Sequence, residues 1–351
     1  TTLAKNLFKN YQYFTFESPD VRDQFVFDPR GFLSSIKKSA IFDEVQKVPE
    51  LLSYLQEILD NKNDKRKFIL TGSNNLKLSQ HVSQTLAGRT KILNILPLSY
   101  HEISEKDKKH TIDEALYYGL YPRIFDESLN PTDWLSSYFQ TYVEKDIREV
   151  SNMSDLRIFT NFIRILAERV GQLVNYNSIS SDIGVSQPTI KSWLSSLETT
   201  FICFTLNPHY KNFNKRIIKS PKVYFYDVGL LCYLLRINNV EQLKSHPLRG
   251  QIFENWVIVE SIKGFTNKAE EHPYYFWRDQ HGHEVDLVKD NGVNLELIEI
   301  KISKTFHKEF LQNMDWLNNV QGSLGGTCIY GGNEKLDLKG YQIIPWNVFS
   351  K

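Results

Sequence analysis

Two short apolar segments that each lead into polar side chains constrain the fold of this chain more than any other feature. Residues 40–42 are followed by Asp43 and Glu44, and residues 68–70 are followed by the Thr-Gly-Ser-Asn sequence of residues 71–74. Apolar runs of this length are typical of strands buried in a parallel sheet. The carboxyl ends of such strands meet at one edge, where α/β proteins bind their ligands. The pattern therefore predicts an α/β nucleotide-binding sheet.

Each polar side chain at this edge has an expected role in phosphoryl transfer. Asp43 would hold Mg²⁺ through water, and Glu44 would polarise the attacking water. Asn74, with Ser73 beside it, would sense the γ-phosphate from the adjacent strand. An Asp-Glu pair after an apolar run is also typical of a helix N-cap, which is the commoner explanation of that pair alone. The second strand favours the nucleotide site.

The chain opens with Thr1 and Thr2 at the start of a helical pattern, which is typical of the end of a phosphate-binding loop. Such a loop closes with Gly-Lys-Ser/Thr, so Thr1 is expected to contact magnesium and Thr2 to lie at the nucleotide. A chain that starts at Thr1 has no loop amides and no lysine to offer the phosphates, and we expect it to bind ATP weakly or not at all. Truncation and disorder of the loop are both compatible with this start.

Four short sequence motifs in the first hundred residues are specific enough to compare with known proteins. They occupy residues 41–49, 70–74, 86–89 and 96–99. These motifs resemble those of a large bacterial and archaeal group of ATP-binding proteins that carry an AAA-type P-loop ATPase. The resemblance implies ATP and Mg²⁺ as cofactors, hydrolysis of ATP to ADP and phosphate, and a following domain without an assigned function. Arg89, in the third motif, would contact phosphate in its own or a neighbouring subunit. The alternative is that Arg89 is a surface arginine, and both alternatives stay open.

Changes in local pattern predict three domains. Residues 1–105 would form the AAA-type ATPase domain, an α/β sheet with helices that lacks its P-loop glycines and lysine, with strands at residues 13–16, 39–42 and 67–71. Residues 106–245 would form a helical and winged-helix domain. Residues 246–351 would form an α/β restriction-endonuclease-like domain.

Composition limits the classes of partner. The chain is 41% hydrophobic and 24% charged, as expected for a folded protein of two or three domains. Its net charge of +1 gives no general attraction to nucleic acid or membrane, so a DNA contact must depend on a local patch. Three distant cysteines argue against a disulfide framework or a zinc site, and no apolar run approaches a membrane span. We expect a cytoplasmic protein with no membrane partner.

Residues 178–194 have the layout of a helix-turn-helix. Gly184 suits the positive φ at the end of the first helix, and Ser186 can cap the second. Two apolar runs, residues 201–206 and 222–226, follow as the expected strands of a wing.

The winged-helix segment has two alternative functions. As a DNA-binding module it would make its contacts through Gln187, Thr189 and Lys191 on the second helix and through Lys215 and Arg216 in the wing loop. Winged helices in ATPases also serve as rigid spacers or protein-docking modules, and a few loop cations make only a few phosphate contacts. Both alternatives stay open.

A second group of catalytic residue types lies near the carboxyl end. Glu254 is on a predicted helix, Asp286 on a strand, and Glu299 and Lys301 lie two residues apart on the next strand. The period of two in a strand puts Glu299 and Lys301 on one face. Asp286 and Glu299 would then hold a divalent cation, Lys301 would orient or deprotonate the attacking water, and Glu254 would contact the metal or its ligands. A surface ion pair between Glu299 and Lys301 is the simpler alternative.

This order of residues resembles the PD-(D/E)xK nuclease fold. Many members of that fold have lost cleavage, so the resemblance implies the fold more firmly than the activity. Three functions follow for the whole chain: an ATP-driven switch, with DNA as one candidate target; a metal-dependent DNA nuclease regulated by ATP; and a non-enzymatic interaction scaffold. A homo-oligomer stays open because AAA-type modules often complete their sites across subunits. The sequence indicates no particular protein partner.

Overall fold

The computed structural model describes residues 1–61, 63–72, 85–104, 110–143, 156–209, 220–321 and 325–349. The chain forms two compact units, Thr1–Ile92 and Leu93–Lys351. The sequence predicts the first domain boundary at residue 105, and the first compact unit ends earlier, at Ile92. The division into three domains stays a prediction.

Among its described residues, the first unit is built on a parallel sheet of three strands in the order β1-β2-β3. The strands are β1 (Gln12–Thr15), β2 (Ala40–Asp43) and β3 (Phe68–Leu70), and the helices are α1 (Thr2–Leu7), α2 (Pro19–Phe27), α3 (Pro29–Ser35) and α4 (Leu51–Asp60). The central strand is fully buried, with Phe42 stacked at 5.9 Å on Phe16 and at 5.8 Å on Phe68. The three predicted strands are thus found, each within two residues of its expected limits, and the mixed α/β architecture is consistent with an AAA module.

The second unit begins with helices. They are α5 (Tyr100–Ser104), α6 (Ile112–Tyr118), α7 (Pro122–Asp126), α8 (Pro131–Tyr138), α9 (Leu156–Glu168), α10 (Tyr176–Ile183), α11 (Gln187–Thr199), α12 (Val228–Leu234) and α13 (Val240–Ser245). Throughout the described ranges, the helices are too short or too polar to cross a membrane.

Helices α10 and α11 show the local features expected of the helix-turn-helix. Gly184 ends α10 with a φ of 77°, and the Ser186 side chain accepts a hydrogen bond from the Thr189 amide at the start of α11. Two antiparallel strands follow, β4 (Cys203–Leu206) and β5 (Lys222–Phe225). The identification of this segment as a winged helix stays a prediction.

A long helix and a mixed sheet complete the second unit. The elements are α14 (Arg249–Thr266), β6 (Tyr274–Arg278), β7 (Glu284–Asp290), β8 (Leu295–Lys301), α15 (Gln312–Gln321), β9 (Gly326–Tyr330), β10 (Leu336–Leu338), β11 (Tyr341–Pro345) and α16 (Trp346–Phe349). Described strands pair in the order β10-β11-β9-β8-β7-β6. Ile298 and Ile300 of β8 pack in the same apolar cluster as Trp256 of α14, whereas Leu297 packs in the same cluster as Met314 of α15. Alternation along β8 therefore buries both faces of the sheet.

Asn255 fastens helix α14 to the edge of strand β5. Its side-chain oxygen accepts a hydrogen bond from the Phe225 amide at 2.7 Å, and its side-chain nitrogen donates to the Phe225 carbonyl at 2.7 Å. The Asn255 side chain thus makes the two hydrogen bonds that a neighbouring strand would otherwise make, and it satisfies the buried amide and the buried carbonyl of Phe225 together.

Replacing Asn255 with Ala should destabilise the protein by about 2–5 kcal/mol, because two buried backbone groups of Phe225 lose their partners. Urea unfolding followed by tryptophan fluorescence measures the change. Asn267→Ala is the matched control, since Asn267 is exposed just beyond the end of the same helix, and we expect its effect to stay within about 0.5 kcal/mol. Equal effects of the two substitutions would contradict this role of Asn255.

Candidate functional sites

Asp43 is the centre of the site predicted in the first unit. It lies at the carboxyl end of β2, buried, and accepts hydrogen bonds from the Thr1 hydroxyl at 2.6 Å, from the Tyr13 hydroxyl at 2.7 Å and from the Thr71 hydroxyl. Burial by itself would raise the pKa of Asp43, but the three hydroxyl donors outweigh it and lower the pKa below its usual value. The carboxylate is therefore held ionised by neutral donors, so that its charge stays available to a cation.

Glu44 follows Asp43 directly and has an unusual backbone conformation. Its φ of 56° is in the left-handed region, which non-glycine residues adopt only at a cost of about 1 kcal/mol or more. The Val45 amide donates to the Thr71 carbonyl at 3.1 Å and the Thr71 amide to the Phe42 carbonyl at 2.9 Å, which fixes the chain on both sides of Glu44. Its carboxylate accepts a hydrogen bond from the Gln46 side chain at 2.6 Å. Backbone strain held in place beside a buried acid is typical of functional positions.

The other residues predicted for this site are less closely tied to it. Thr2 is exposed in the first turn of α1. Arg89 forms an ion pair with Asp60 at 2.7 Å. Ser73 and Asn74 lie outside the described residues.

Sequence reasoning gave no role to the hydroxyls of Tyr13 and Thr71. Tyr13 is on β1, paired in register with Ile41 of β2, and Thr71 directly follows β3. Their available signal was position on the two strands that flank β2: Thr71 directly follows β3, and Tyr13 lies on β1 two residues before the position that pairs with Asp43.

Asp286, Glu299 and Lys301 are brought together in the second unit, in agreement with their predicted proximity. The Lys301 ammonium lies 2.5 Å from Glu299 Oε1 and 3.3 Å from Asp286 Oδ2, and the Ile300 amide donates to Asp286 at 2.8 Å. Glu299 is only 2% exposed, so a surface ion pair does not describe this arrangement.

Glu254 joins the same group through residues that the sequence analysis did not single out. Its Oε1 accepts a hydrogen bond from the Tyr224 hydroxyl at 2.6 Å and lies 3.3 Å from the Lys222 ammonium. That ammonium also lies 2.5 Å from Glu284, which pairs in turn with Arg278 at 3.0 Å. The two groups of contacts lie close enough for Asp286 to raise the pKa of Glu254 and for Glu254 to raise that of Glu299. We therefore treat them together and call the following seven residues the acidic cluster: Lys222, Tyr224, Glu254, Glu284, Asp286, Glu299 and Lys301.

Glu284, Lys222 and Tyr224 are the members of the acidic cluster that sequence reasoning did not identify, and the sequence patterns that could have indicated them differ in strength. Glu284 precedes Asp286 by two residues on β7, so the strand period places both on one face. Lys222 and Tyr224 are on β5, and only the tertiary fold brings them to Glu254.

Burial and mutual repulsion dominate the electrostatics of the carboxylates. Burial raises the pKa of Glu299 to about 8, and Asp286 adds to the shift, while Lys301 opposes it. The pKa of Glu254 is also raised, mainly by burial. For Lys222 and Lys301, burial would lower the pKa, but the surrounding carboxylates outweigh it and raise the pKa of both. Lys301 is therefore a cation here, which suits orienting a water molecule better than deprotonating it.

Divalent-cation chemistry fits the donor atoms of the acidic cluster, which are carboxylate oxygens of the kind that Mg²⁺ and Mn²⁺ prefer. Glu299 Oε2 is buried and has no hydrogen-bond partner among the residues that the structure describes. Within the described ranges, however, no three His, Cys, Asp or Glu side chains are arranged as a ready metal site. The ammonium groups of Lys222 and Lys301 occupy this region instead.

The predicted nucleic-acid contacts lie on one helix. Gln187 and Lys191 are exposed on α11 and Thr189 is half-buried, while Ile190 and Trp193 point into the core. The Lys191 ammonium lies 5.3 Å from the centre of the Tyr176 ring. Lys215 and Arg216 lie outside the described residues.

Comparison with known families divides the chain into three matches. Residues 1–104 match the model of an AAA domain, residues 109–241 match a domain of unknown function (DUF8612), and residues 249–349 match another (DUF4143). The AAA match agrees with the three-stranded parallel sheet, and it indicates an ATP-binding module. The other two matches carry no function.

The curated relatives are themselves uncharacterized. Proteins of Mycobacterium bovis and Mycobacterium tuberculosis are each 26% identical over 308 residues, which cover 87% of this chain and 68% of the relative. A Haemophilus influenzae protein is 29% identical over 241 residues, covering 62% of this chain and 59% of its own length. No solved structure matches.

The raised pKa of Glu299 predicts a pH dependence of stability that Glu299→Gln removes. The folded protein keeps a proton on Glu299 that the unfolded chain releases above about pH 4.5, so the stabilising contribution is complete below that pH and is lost as the pH rises through about 8. Relative to the variant, the wild type should lose stability between about pH 5 and about pH 9. Urea denaturation across that range measures the difference.

Glu296→Gln is the matched control for this prediction. Glu296 lies on the same strand but is more than half exposed, paired with Lys289. If both variants follow the wild-type curve, Glu299 does not titrate in this window.

Proposed function

We propose that the protein is an ATP-dependent switch whose first unit binds ATP with Mg²⁺ and hydrolyses it to ADP and phosphate. The observation that carries the proposal is the buried, ionised Asp43 at the end of the central strand, in contact with the Thr1 hydroxyl. The match of residues 1–104 to an AAA domain supports it independently.

The residues of this site would divide the work in the following way. Asp43, with the Thr1 hydroxyl, would hold Mg²⁺, which when bound neutralises charge on the phosphates. Glu44 would orient and polarise the attacking water from its strained position after the strand. Ser73 and Asn74 would sense the γ-phosphate. Arg89 would reach phosphate by leaving Asp60, and an ion pair as exposed as theirs costs little to break.

Replacing Glu44 with Gln should lower the turnover of ATP by about 10²-fold or more, because the amide cannot take a proton from water. ATP affinity should be unchanged, since the charge and donors around Asp43 remain. Phosphate release gives the turnover, and titration with a fluorescent ATP analogue gives the affinity, both with the full-length protein.

Glu50→Gln is the matched control for Glu44→Gln. Glu50 is exposed and makes no side-chain cap at the start of α4. Loss of both binding and turnover in Glu44→Gln would count against a catalytic role and favour a structural one.

We further propose that the switch acts on DNA through helix α11. The exposure of Gln187 and Lys191 beside the capped first turn of that helix supports the proposal. Lys215 and Arg216 would add phosphate contacts from the loop that joins β4 and β5.

A metal-dependent DNA nuclease is the second candidate function. It is favoured by the acidic cluster, where Glu254, Asp286, Glu299 and Lys301 come together from one helix and two strands. Asp286 and Glu299 would hold the cation, Glu254 would contact the cation or its ligands, and Lys301 would orient the attacking water.

Replacing Lys301 with Ala should abolish cleavage of plasmid and single-stranded DNA in the presence of Mg²⁺ or Mn²⁺, with and without ATP. Lys289→Ala is the control, since Lys289 lies on the neighbouring strand and pairs with Glu296. Absence of cleavage by the wild type in every condition would remove the nuclease and leave this region as a binding module. If Glu44→Gln also leaves ATP turnover unaltered, a non-enzymatic scaffold becomes the better account.

A further inference from the structure

The second unit contains a cavity of about 850 Å³ at one edge of its mixed sheet. Strands β8, β9 and β11 run parallel, and their last residues, Lys301, Tyr330 and Pro345, lie side by side. The cavity is lined by the segments that follow these three strand ends, which are residues 304–306, 331–334 and 346–347. Parallel strands commonly present their ligands beyond their carboxyl ends, and a cavity of this size accommodates a small molecule.

The rest of the lining comes mainly from two helices of the same unit. Residues 110–113, around the start of α6, and Lys244 of α13 contribute to it. Residues 109–241 and 249–349 are separate family matches, so the cavity is bounded by parts of both. No member of the acidic cluster is part of the lining. The cavity is therefore a separate site.

The segment after β9 forms a fixed wall of the cavity. The Gly331 amide donates a hydrogen bond to the Lys301 carbonyl at 3.0 Å. The Tyr330 hydroxyl donates to the Glu334 carbonyl at 2.8 Å and accepts from the Glu334 amide at 3.0 Å. A Cβ atom on Gly331 would lie 2.2 Å from the Ile302 carbonyl oxygen, so the close approach of these segments requires glycine. A wall built in this way is pre-formed, which lowers the ordering cost of binding.

Several polar groups of the lining are already used by the protein. Asp113 forms an ion pair with Arg249 at 2.7 Å, and Lys244 forms one with Glu241 at 2.6 Å. The Thr111 side chain caps α6. These groups are available to a ligand only if an existing contact breaks.

Lys304 and Glu334 are the charged residues of the lining that remain. Both are exposed, and within the described ranges neither forms an ion pair. Their charges have opposite signs. A simple anion or a simple cation would be attracted by one of these residues and repelled by the other, whereas a ligand with both charges can pair with each.

The remaining lining is aromatic and incompletely hydrogen-bonded. Tyr330 and Trp346 are almost fully buried, and Phe306 is half-buried. Two polar atoms of lining residues, His110 Nε2 and Asn347 Oδ1, are buried and have no hydrogen-bond partner in the described part of the chain. Aromatic walls favour a flat ring, and an unused acceptor such as Asn347 Oδ1 favours a ring that carries a donor.

We propose that this cavity binds a free amino acid with an aromatic side chain. The ring packs against the aromatic part of the lining, the carboxylate pairs with Lys304 and the ammonium pairs with Glu334. A peptide end carries only one of these two backbone charges, so the free amino acid is the ligand class that matches both residues. The inference depends neither on ATP binding by the first unit nor on metal binding by the acidic cluster.

The first test is isothermal titration calorimetry of the full-length protein with L-tryptophan and with L-phenylalanine. We expect L-tryptophan to bind with a Kd of about 1 mM or lower, given the number of atoms in the ligand. Indole-3-propionate lacks the ammonium and tryptamine lacks the carboxylate, and each should bind about threefold or more weakly than L-tryptophan. Absence of binding by both amino acids at about 10 mM would overturn the proposal. So would indole-3-propionate that binds as tightly as L-tryptophan.

Two substitutions test the roles of the charged residues. Lys304→Gln and Glu334→Gln should each weaken the binding of L-tryptophan about threefold or more, because each removes one ion pair. Glu334→Gln should instead strengthen the binding of indole-3-propionate, because it removes a repulsion. Lys308→Gln and Glu309→Gln are the matched controls, since both residues are exposed, follow β8 and lie outside the lining. A Glu334→Gln variant that binds L-tryptophan as tightly as the wild type would overturn the assignment.

Photolabelling of the wild type locates the bound amino acid without any substitution. para-Azidophenylalanine keeps the ring and both charges, and after irradiation the labelled peptides are identified by mass spectrometry. We expect the label in residues 304–306, 331–334 or 346–347, and an excess of L-tryptophan should suppress it. Label that is found only outside the lining would overturn the proposal.

Discussion

Neutralisation of buried carboxylates is the constraint on which the second unit depends. Glu254 on α14 and Glu299 on β8 each have a pKa raised mainly by burial, so each would be costly to ionise without a partner supplied by another residue. Lys301 supplies that partner for Glu299, and Lys222 supplies it for Glu254 from β5. Because Lys222 also pairs with Glu284 of β7, its ion pairs fix the position of β5 against the carboxyl-terminal sheet. Asn255 fastens the same strand to α14 through neutral hydrogen bonds. Polar contacts, rather than apolar ones alone, therefore set the register between the hairpin and the rest of the unit.

Local rules were sufficient to predict the strands that carry the candidate sites. The apolar run before Asp43 forms the central strand of the parallel sheet, and the two-residue spacing of Glu299 and Lys301 brings their charged groups into contact. Caps were equally predictable: Ser186 caps α11, and Asp227 caps α12 by accepting from the Leu230 amide at 2.8 Å. Each of these features depends on residues that are close together in the sequence, so it can be predicted from a single sequence.

The partners of the acids in the candidate sites could not be predicted in the same way. Tyr13 reaches Asp43 from a strand thirty residues earlier, and Tyr224 reaches Glu254 from across the helix–hairpin contact. The sequence around a hydroxyl-bearing residue does not indicate which carboxylate its hydroxyl will contact, because strand order and helix packing decide the pairing. Lys222 is the extreme case, since a lysine at the start of an apolar strand is typical of a solvent-exposed strand end, whereas here it is 2% exposed.

The two sites neutralise their acids by different means, and the difference determines how each can bind a metal ion. Around Asp43 the donors are the hydroxyls of Thr1, Tyr13 and Thr71, which lower the pKa of the carboxylate without cancelling its charge. Mg²⁺ brought by a nucleotide would meet a negative charge there, since in the described part of the chain the side chains in contact with Asp43 are these neutral hydroxyls. In the acidic cluster the donors include two ammonium groups, which cancel part of the carboxylate charge. A metal ion that bound there would have to compete with these lysines for the same carboxylate oxygens.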